Sequence, residues 1–235
     1  MSNYHCYSEG GIYQLGEFQE DAVGRVEFRS LVEALPQMQD SEDPEANYED
    51  PLVVLREMQS KRNLEQTLLC PRVFISHRQA DIQPALRIAY LATKKKFDYW
   101  LDILDPKIAA TTLPHPLTPY QQAVLIAAIV EMALLNCTHV LAVMTKNVPG
   151  TMWIPYEYGR VKDSGLTSVR VAGWFDGSWT VSNMPEYFHL GQKLYNEAAI
   201  RKWFGAQFRS SVGTQPCGGC RSKDWRFAEP PELPV

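Results

Sequence analysis

The rhythm of apolar residues along this chain changes near residue 72. Upstream, apolar positions recur at helical spacing in two places. Residues 22–35 predict a short helix. Asp50-Pro51 opens a second: Asp50 can cap it, Pro51 suits the first turn, and Leu52, Leu55, Met58 and Leu64 follow near a 3.6-residue period. Between these helices, residues 40–51 are acidic, carry two prolines and show no apolar pattern, as a linker does. From Arg72 onward, short apolar runs alternate with amphipathic ones. Residues 73–76, 97–101, 140–144 and 168–174 predict strands. Residues 81–96, 118–136, 153–163 and 197–208 predict helices, the second of them apolar nearly all round. A long loop with Pro114, Pro116 and Pro119 spans 106–120, and residues 176–180 (DGSWT) form a turn. Strand and helix in alternation at this spacing imply a parallel sheet covered on both faces.

Composition narrows the class. The chain has 235 residues, 45% of them hydrophobic and 21% charged, which suits one soluble globular core with extensions. A net charge of −4 gives no general pull toward nucleic acid or an anionic membrane. The charge is uneven: residues 1–70 carry 14 acidic against 5 basic side chains, and the rest carry 13 against 18. The C-terminal body can therefore attract an anionic small molecule. No basic patch followed by an apolar run opens the chain, so no signal peptide is expected. The most apolar window, 123–135, is interrupted by Glu131 and is too short to span a bilayer. Five cysteines, an odd number without a regular framework, fit a reducing cytoplasm. Cys217-Gly-Gly-Cys220 is at best half a zinc site, so residues 210–235 read as an irregular tail without metal.

The candidate chemistry centres on Trp153-Ile-Pro-Tyr-Glu157. The carboxylate stands four residues beyond the indole, so both lie on one face of a helix that begins just past a strand's carboxyl end. A glutamate beside an aromatic wall can be partly desolvated yet ionised, suited to ribose hydroxyls or a developing cation. Ser76 reads as a strand-end hydrogen-bonding group rather than a nucleophile. Lys94-Lys95-Lys96 complements the helix dipole rather than a phosphate.

Four segments carry a resemblance to the Toll/interleukin-1 receptor (TIR) domain. Val73-Phe-Ile-Ser-His-Arg78 resembles the family's opening box, and Tyr99-Trp-Leu-Asp102 its second strand with an acidic end. Residues 106–120 stand where the variable BB loop stands, although they lack its usual glycine and are rich in proline. Trp153-x-x-x-Glu157 is similar to the pattern that holds the catalytic glutamate of NAD-cleaving members. The similarity runs from about residue 72 to 208 and is closest in character to stand-alone bacterial TIR proteins of antiphage defence, such as Thoeris. It implies a flavodoxin-like parallel sheet with helices on both faces over residues 71–209, preceded by a helical extension, 1–70. It also implies a cytoplasmic NAD⁺ nucleosidase or ADP-ribosyl cyclase, with NAD⁺ as substrate and no metal. Glu157 would be catalytic; His77, Arg78, Asp102, Asp105 and Trp153 would line the nucleotide pocket. Arg78 can pair with a phosphate or instead with Asp81 or Asp105, and Trp153 can stack on the ligand or anchor the core. Expected partners are other TIR domains or an effector that reads the product, with no nucleic acid and no membrane. Two other readings stand beside this one. A non-catalytic TIR interaction module is one; a nucleoside deoxyribosyltransferase-like enzyme, whose glutamate attacks the sugar, is the other.

Overall fold

The computed structural model describes residues 71–104, 119–160, 170–180, 184–212 and 228–234. The extension 1–70 with its two helices and acidic linker lies outside the described residues. So do Asp105, the loop up to residue 118, residues 161–169, and the Cys217/Cys220 pair.

Five strands form one all-parallel sheet: β1 (Arg72–Ser76), β2 (Asp98–Trp100), β3 (His139–Met144), β4 (Val171–Phe175) and β5 (Gln192–Leu194). Their order, β2-β1-β3-β4-β5, is compatible with a flavodoxin-like fold. The central strands β1, β3 and β4 are buried almost end to end, as strands with both faces covered must be. Among the described residues, four helices cover the sheet: α1 (Ile82–Lys94), α2 (Pro119–Asn136), α3 (Trp153–Arg160) and α4 (Glu197–Val212). β1 steps to β2 in one direction and β2 returns past β1 to β3, so right-handed crossovers put α1 and α2 on opposite faces. α4 packs against α1. α3 is tied to α2 through buried Glu131, which accepts from the Tyr156 hydroxyl at 2.6 Å and from Arg160 Nε at 2.9 Å and Nη2 at 2.7 Å.

The alternation read from the sequence is present, with shifts at the edges. The helix expected over 118–136 starts at Pro119 and ends at Asn136, its Ala128–Glu131 stretch wholly buried. β5 escaped the pattern because it is a three-residue edge strand in which only Leu194 is buried. A 3-10 turn, Glu186–Leu190, precedes it and buries Phe188 against Tyr158 and Phe175. Gly191 follows that turn because a Cβ there would meet the Tyr158 hydroxyl at 1.8 Å and the Val171 carbonyl at 2.9 Å.

Asp81 does not cap α1. Its carboxylate accepts from Thr145 Oγ1 at 2.8 Å and Asn147 Nδ2 at 2.6 Å, stapling the turn after β1 to the loop after β3. α1 ends in a Schellman motif: Phe97 N–H reaches the Ala92 carbonyl at 3.0 Å and Lys96 N–H the Thr93 carbonyl at 3.0 Å. Lys96 takes the left-handed position, with φ of 63°.

The expected irregular tail is partly docked. α4 continues to Val212. Residues 228–234 have no helix or strand, yet buried Arg87 of α1 holds them: its guanidinium donates to Glu229 Oε1 and the Pro230 carbonyl, both at 2.7 Å. The same guanidinium pairs with Glu197 at 2.6 Å, and Glu197 in turn accepts the Leu233 N–H at 3.0 Å. Burial opposes ionisation of Glu197, but these donors outweigh it and hold the carboxyl below its ordinary range.

Candidate active site

A crevice opens at the carboxyl ends of β1 and β2, next to the point where the direction of winding reverses between β1 and β3. Four polar side chains converge on it. β1 contributes Ser76, and the residue after it is His77. Asp102 lies two residues beyond β2, and Glu157 comes from the second turn of α3. Phe74, Trp100 and Val130 form the apolar wall of a cavity of about 30 Å³. Phe74 and Trp100, paired neighbours on β1 and β2, stack with centroids 4.6 Å apart. Side chains alternate along a strand, so Phe74 and Ser76 face the same side, the side on which α3 lies.

Glu157 is only 8% exposed, and Ser76 Oγ donates to its Oε2 at 2.5 Å. Burial pushes the carboxyl up, the Ser76 hydroxyl offsets part of that, and the Asp102 charge raises it further, to about 7. The carboxylate is thus harder to ionise than the sequence suggested, because burial strips it of solvent and no lysine or arginine lines the cavity. A cationic ligand would supply the missing charge.

Beside this pair stands a second one. The His77 side chain is 2% exposed; its Nδ1 lies 3.3 Å from the Ile75 carbonyl and its Nε2 lies 3.5 Å from Asp102 Oδ1. Asp102 is anchored by accepting the Ile103 N–H at 2.7 Å through that same oxygen.

The expected site residues separate into three groups. Glu157, His77 and Asp102 meet at the cavity. Arg78 and Trp153 do not line it. Arg78 is half-buried beside the β1 end, and its suggested partner Asp81 is engaged by Thr145 and Asn147. Trp153 is 45% exposed, so it does not anchor the core, and its ring meets Tyr156 edge-on at 6.0 Å. The indole beside Glu157 is Trp100, not Trp153. Asp105 lies outside the described residues.

Two contributors went unassigned in the sequence. Ser76 was read as a strand-end hydrogen-bonding group, and its acceptor is Glu157, which no local pattern across 81 residues could reveal. Trp100 sat in a strand whose apolar run hid which residue turned toward the crevice.

No protein-family model, curated protein or solved structure matches this chain. Among the described residues, no group of three or more His, Cys, Asp or Glu is placed to hold a metal ion, and no helix is long and apolar enough to cross a membrane.

Proposed function

We propose that this chain is a TIR-like enzyme that cleaves the nicotinamide–ribose bond of NAD⁺, giving ADP-ribose or a cyclic or derived ADP-ribose signal in bacterial antiphage immunity. The observation that carries the reading is a buried carboxyl with a raised pKa, Glu157, at the carboxyl end of a parallel sheet, held by a strand-end hydroxyl and open to a small polar cavity.

The chemistry suits that carboxyl. Nicotinamide leaves as a neutral base from a cationic pyridinium, so no general acid is needed, and one carboxylate can serve where ordinary glycosidases use two. As the C1′–N bond breaks, positive charge develops on the ribose. A desolvated anion beside it is worth far more than the same anion in water. The cationic substrate also draws the proton off Glu157, so substrate arrival and activation of the carboxylate are one event.

A cavity of about 30 Å³ admits a hydroxyl or a water, not a dinucleotide. In this reading the nucleotide lies across the mouth, and only the edge of the nicotinamide-side ribose reaches Glu157. The excess of basic side chains in the C-terminal body, 18 against 13 acidic, favours approach of the pyrophosphate. Nicotinamide release from NAD⁺, measured for the wild type and for Glu157→Gln, tests the reading.

The interaction-module reading draws on a different observation. Met152, Trp153 and Tyr156 are exposed together at the start of α3, and an apolar cluster of this kind is a docking surface in many proteins.

A further inference from the structure

Residues 228–234 lie across the seam of α1 and α4 as a ligand lies on its receptor. They form no helix or strand, and only Pro230 and Leu233 are buried, while the Glu229 and Glu232 side chains stay 58% and 86% exposed. The two buried positions stand three apart, the period of extended proline-rich chain, so one face of the segment meets the helices. The receiving surface is built by the folded body alone. Glu197 grips Arg87 Nε at 2.6 Å and Nη2 at 3.1 Å, and Arg201 steadies Glu197 Oε2 at 3.2 Å, which leaves Arg87 Nη1 aimed at the segment. Nη1 donates to Glu229 Oε1 and the Pro230 carbonyl, and Glu197 Oε1 accepts the Leu233 N–H. One ion pair thus reads a backbone carbonyl and, three residues on, a backbone N–H. The Tyr90 hydroxyl, one turn along α1, bonds Glu229, and its ring lies 5.1 Å from the Arg87 guanidinium and 5.2 Å from Lys94 Nζ. The side chains selected are an acid, then proline, then leucine: Glu-Pro-x-x-Leu, a run that occurs once in the chain.

We propose that the seam of α1 and α4 is a peptide-binding site for Glu-Pro-x-x-Leu, and that it takes residues 228–234 from a second copy of the chain as well as from its own, so that copies join by exchanging this segment. A segment from a second copy brings the same residues to the same partners, so exchange gains and loses no contact at the site. Fifteen residues, 213–227, join α4 to the segment. A chain of that length reaches up to about 50 Å, against a diameter of roughly 30 Å for a small domain. The charges match in either arrangement, since Glu229 and Glu232 of the segment meet Arg87, with Lys94 beside it. Tethering gives the chain's own segment an effective concentration on the order of millimolar, so the closed form prevails in dilute solution and exchange emerges when that segment is disabled. None of the residues at the seam lines the Glu157 cavity, so binding here is independent of NAD⁺ cleavage.

Two full-length variants separate ligand from receptor. Leu233→Asp disables the segment and leaves the seam intact; Arg87→Met disables the seam and leaves the segment intact. In sedimentation velocity each variant alone should behave as dilute wild type does, whereas their equimolar mixture gains a heavier species holding one copy of each. A fluorescent peptide of residues 228–235 supplies the second readout. Leu233→Asp should bind it at least about tenfold more tightly than the wild type, whose tethered segment competes. Adding Arg87→Met to Leu233→Asp should weaken binding at least about tenfold, because a buried charge pair loses one partner. Should Arg87→Met not fold, a peptide carrying Glu229→Lys replaces it, with the same loss expected. A mixture of folded variants that stays unassociated overturns the inference. So does a peptide that Leu233→Asp does not bind, binds no better than the wild type, or binds regardless of Arg87 and Glu229. A Leu233→Asp chain that fails to fold overturns it too, because residues 228–234 are then part of the core and not a ligand.

Discussion

Ser76 and Glu157 stand 81 residues apart in the chain, and the hydroxyl of one donates to the buried carboxyl of the other at 2.5 Å. The bond joins the end of β1 to the second turn of α3, so the sheet and the helix together fix where the carboxyl points. It also sets how easily that carboxyl ionises, since the Ser76 hydroxyl draws the Glu157 pKa down against burial and the Asp102 charge.

Stability should therefore depend on pH through Glu157. Its folded pKa, about 7, lies above the ordinary 4.5. A raised carboxyl favours folding fully below the ordinary value, and that contribution is lost as pH rises through the folded one. Glu157→Gln removes the dependence and keeps an oxygen to accept from Ser76. We expect the variant to match the wild type near pH 4 and to exceed it by on the order of 3 kcal/mol at pH 8. Urea titrations at the two pH values measure this, and a constant difference between the proteins would contradict it.

Activity should show the same titration with the opposite sense. The ionised carboxylate is the working form, so kcat/KM for NAD⁺ should rise with pH through a single limb near 7. Ser76→Ala removes the compensating hydrogen bond and should move that limb upward by about one unit. The variant then loses most at neutral pH and recovers in mild alkali. A limb near 4.5, or one that ignores Ser76, would separate Glu157 from the chemistry.

Arg87 should control the docked tail. Its side chain is 1% exposed and engages Glu197, Glu229 and the Pro230 carbonyl. Arg87→Met strips Glu197 of its strongest donor and should cost about 3 kcal/mol. Hydrogen exchange at residues 228–234 should accelerate, while β3 stays protected until global unfolding. Unchanged protection of the tail would mean that Leu233 alone secures it.

Lys96 offers a stabilising change. It occupies the left-handed position of the Schellman motif, with φ of 63°, where a side chain costs about 1 kcal/mol that glycine does not incur. Lys96→Gly should raise stability by about 0.5 kcal/mol after the extra freedom of the unfolded chain is counted. Thermal melts of the two proteins check the sign.

Much of the fold was legible because it follows from local periodicity. The buried runs of β1, β3 and β4 and the amphipathic stripe of α1 each appear within a window of fewer than twenty residues. The start of the helix expected over 118–136 follows from a local reason as well, since Pro119 suits a first turn. β5 was not legible, because an edge strand with one inward side chain leaves no alternation to read. The site divides in the same way. Glu157 could be singled out from its place after a strand, whereas its partners depend on which strand lies beside which. Asp81 and Trp153 show the limit of spacing arguments. Asp81 stands where a cap should be and bonds elsewhere, and Trp153 shares a helix with Glu157 while Trp100 supplies the wall. Four-residue spacing fixes a helix face, but depth on that face is set by the neighbouring helix.

The central claim is that Glu157 stabilises a ribosyl cation derived from NAD⁺. Its most direct test is nicotinamide release from NAD⁺ at pH 8, where the wild-type carboxyl is ionised, by the wild type and by folded Glu157→Gln. The account predicts release by the wild type and a loss of at least 100-fold in the variant. Equal release by the two proteins, or none by the wild type, would contradict it.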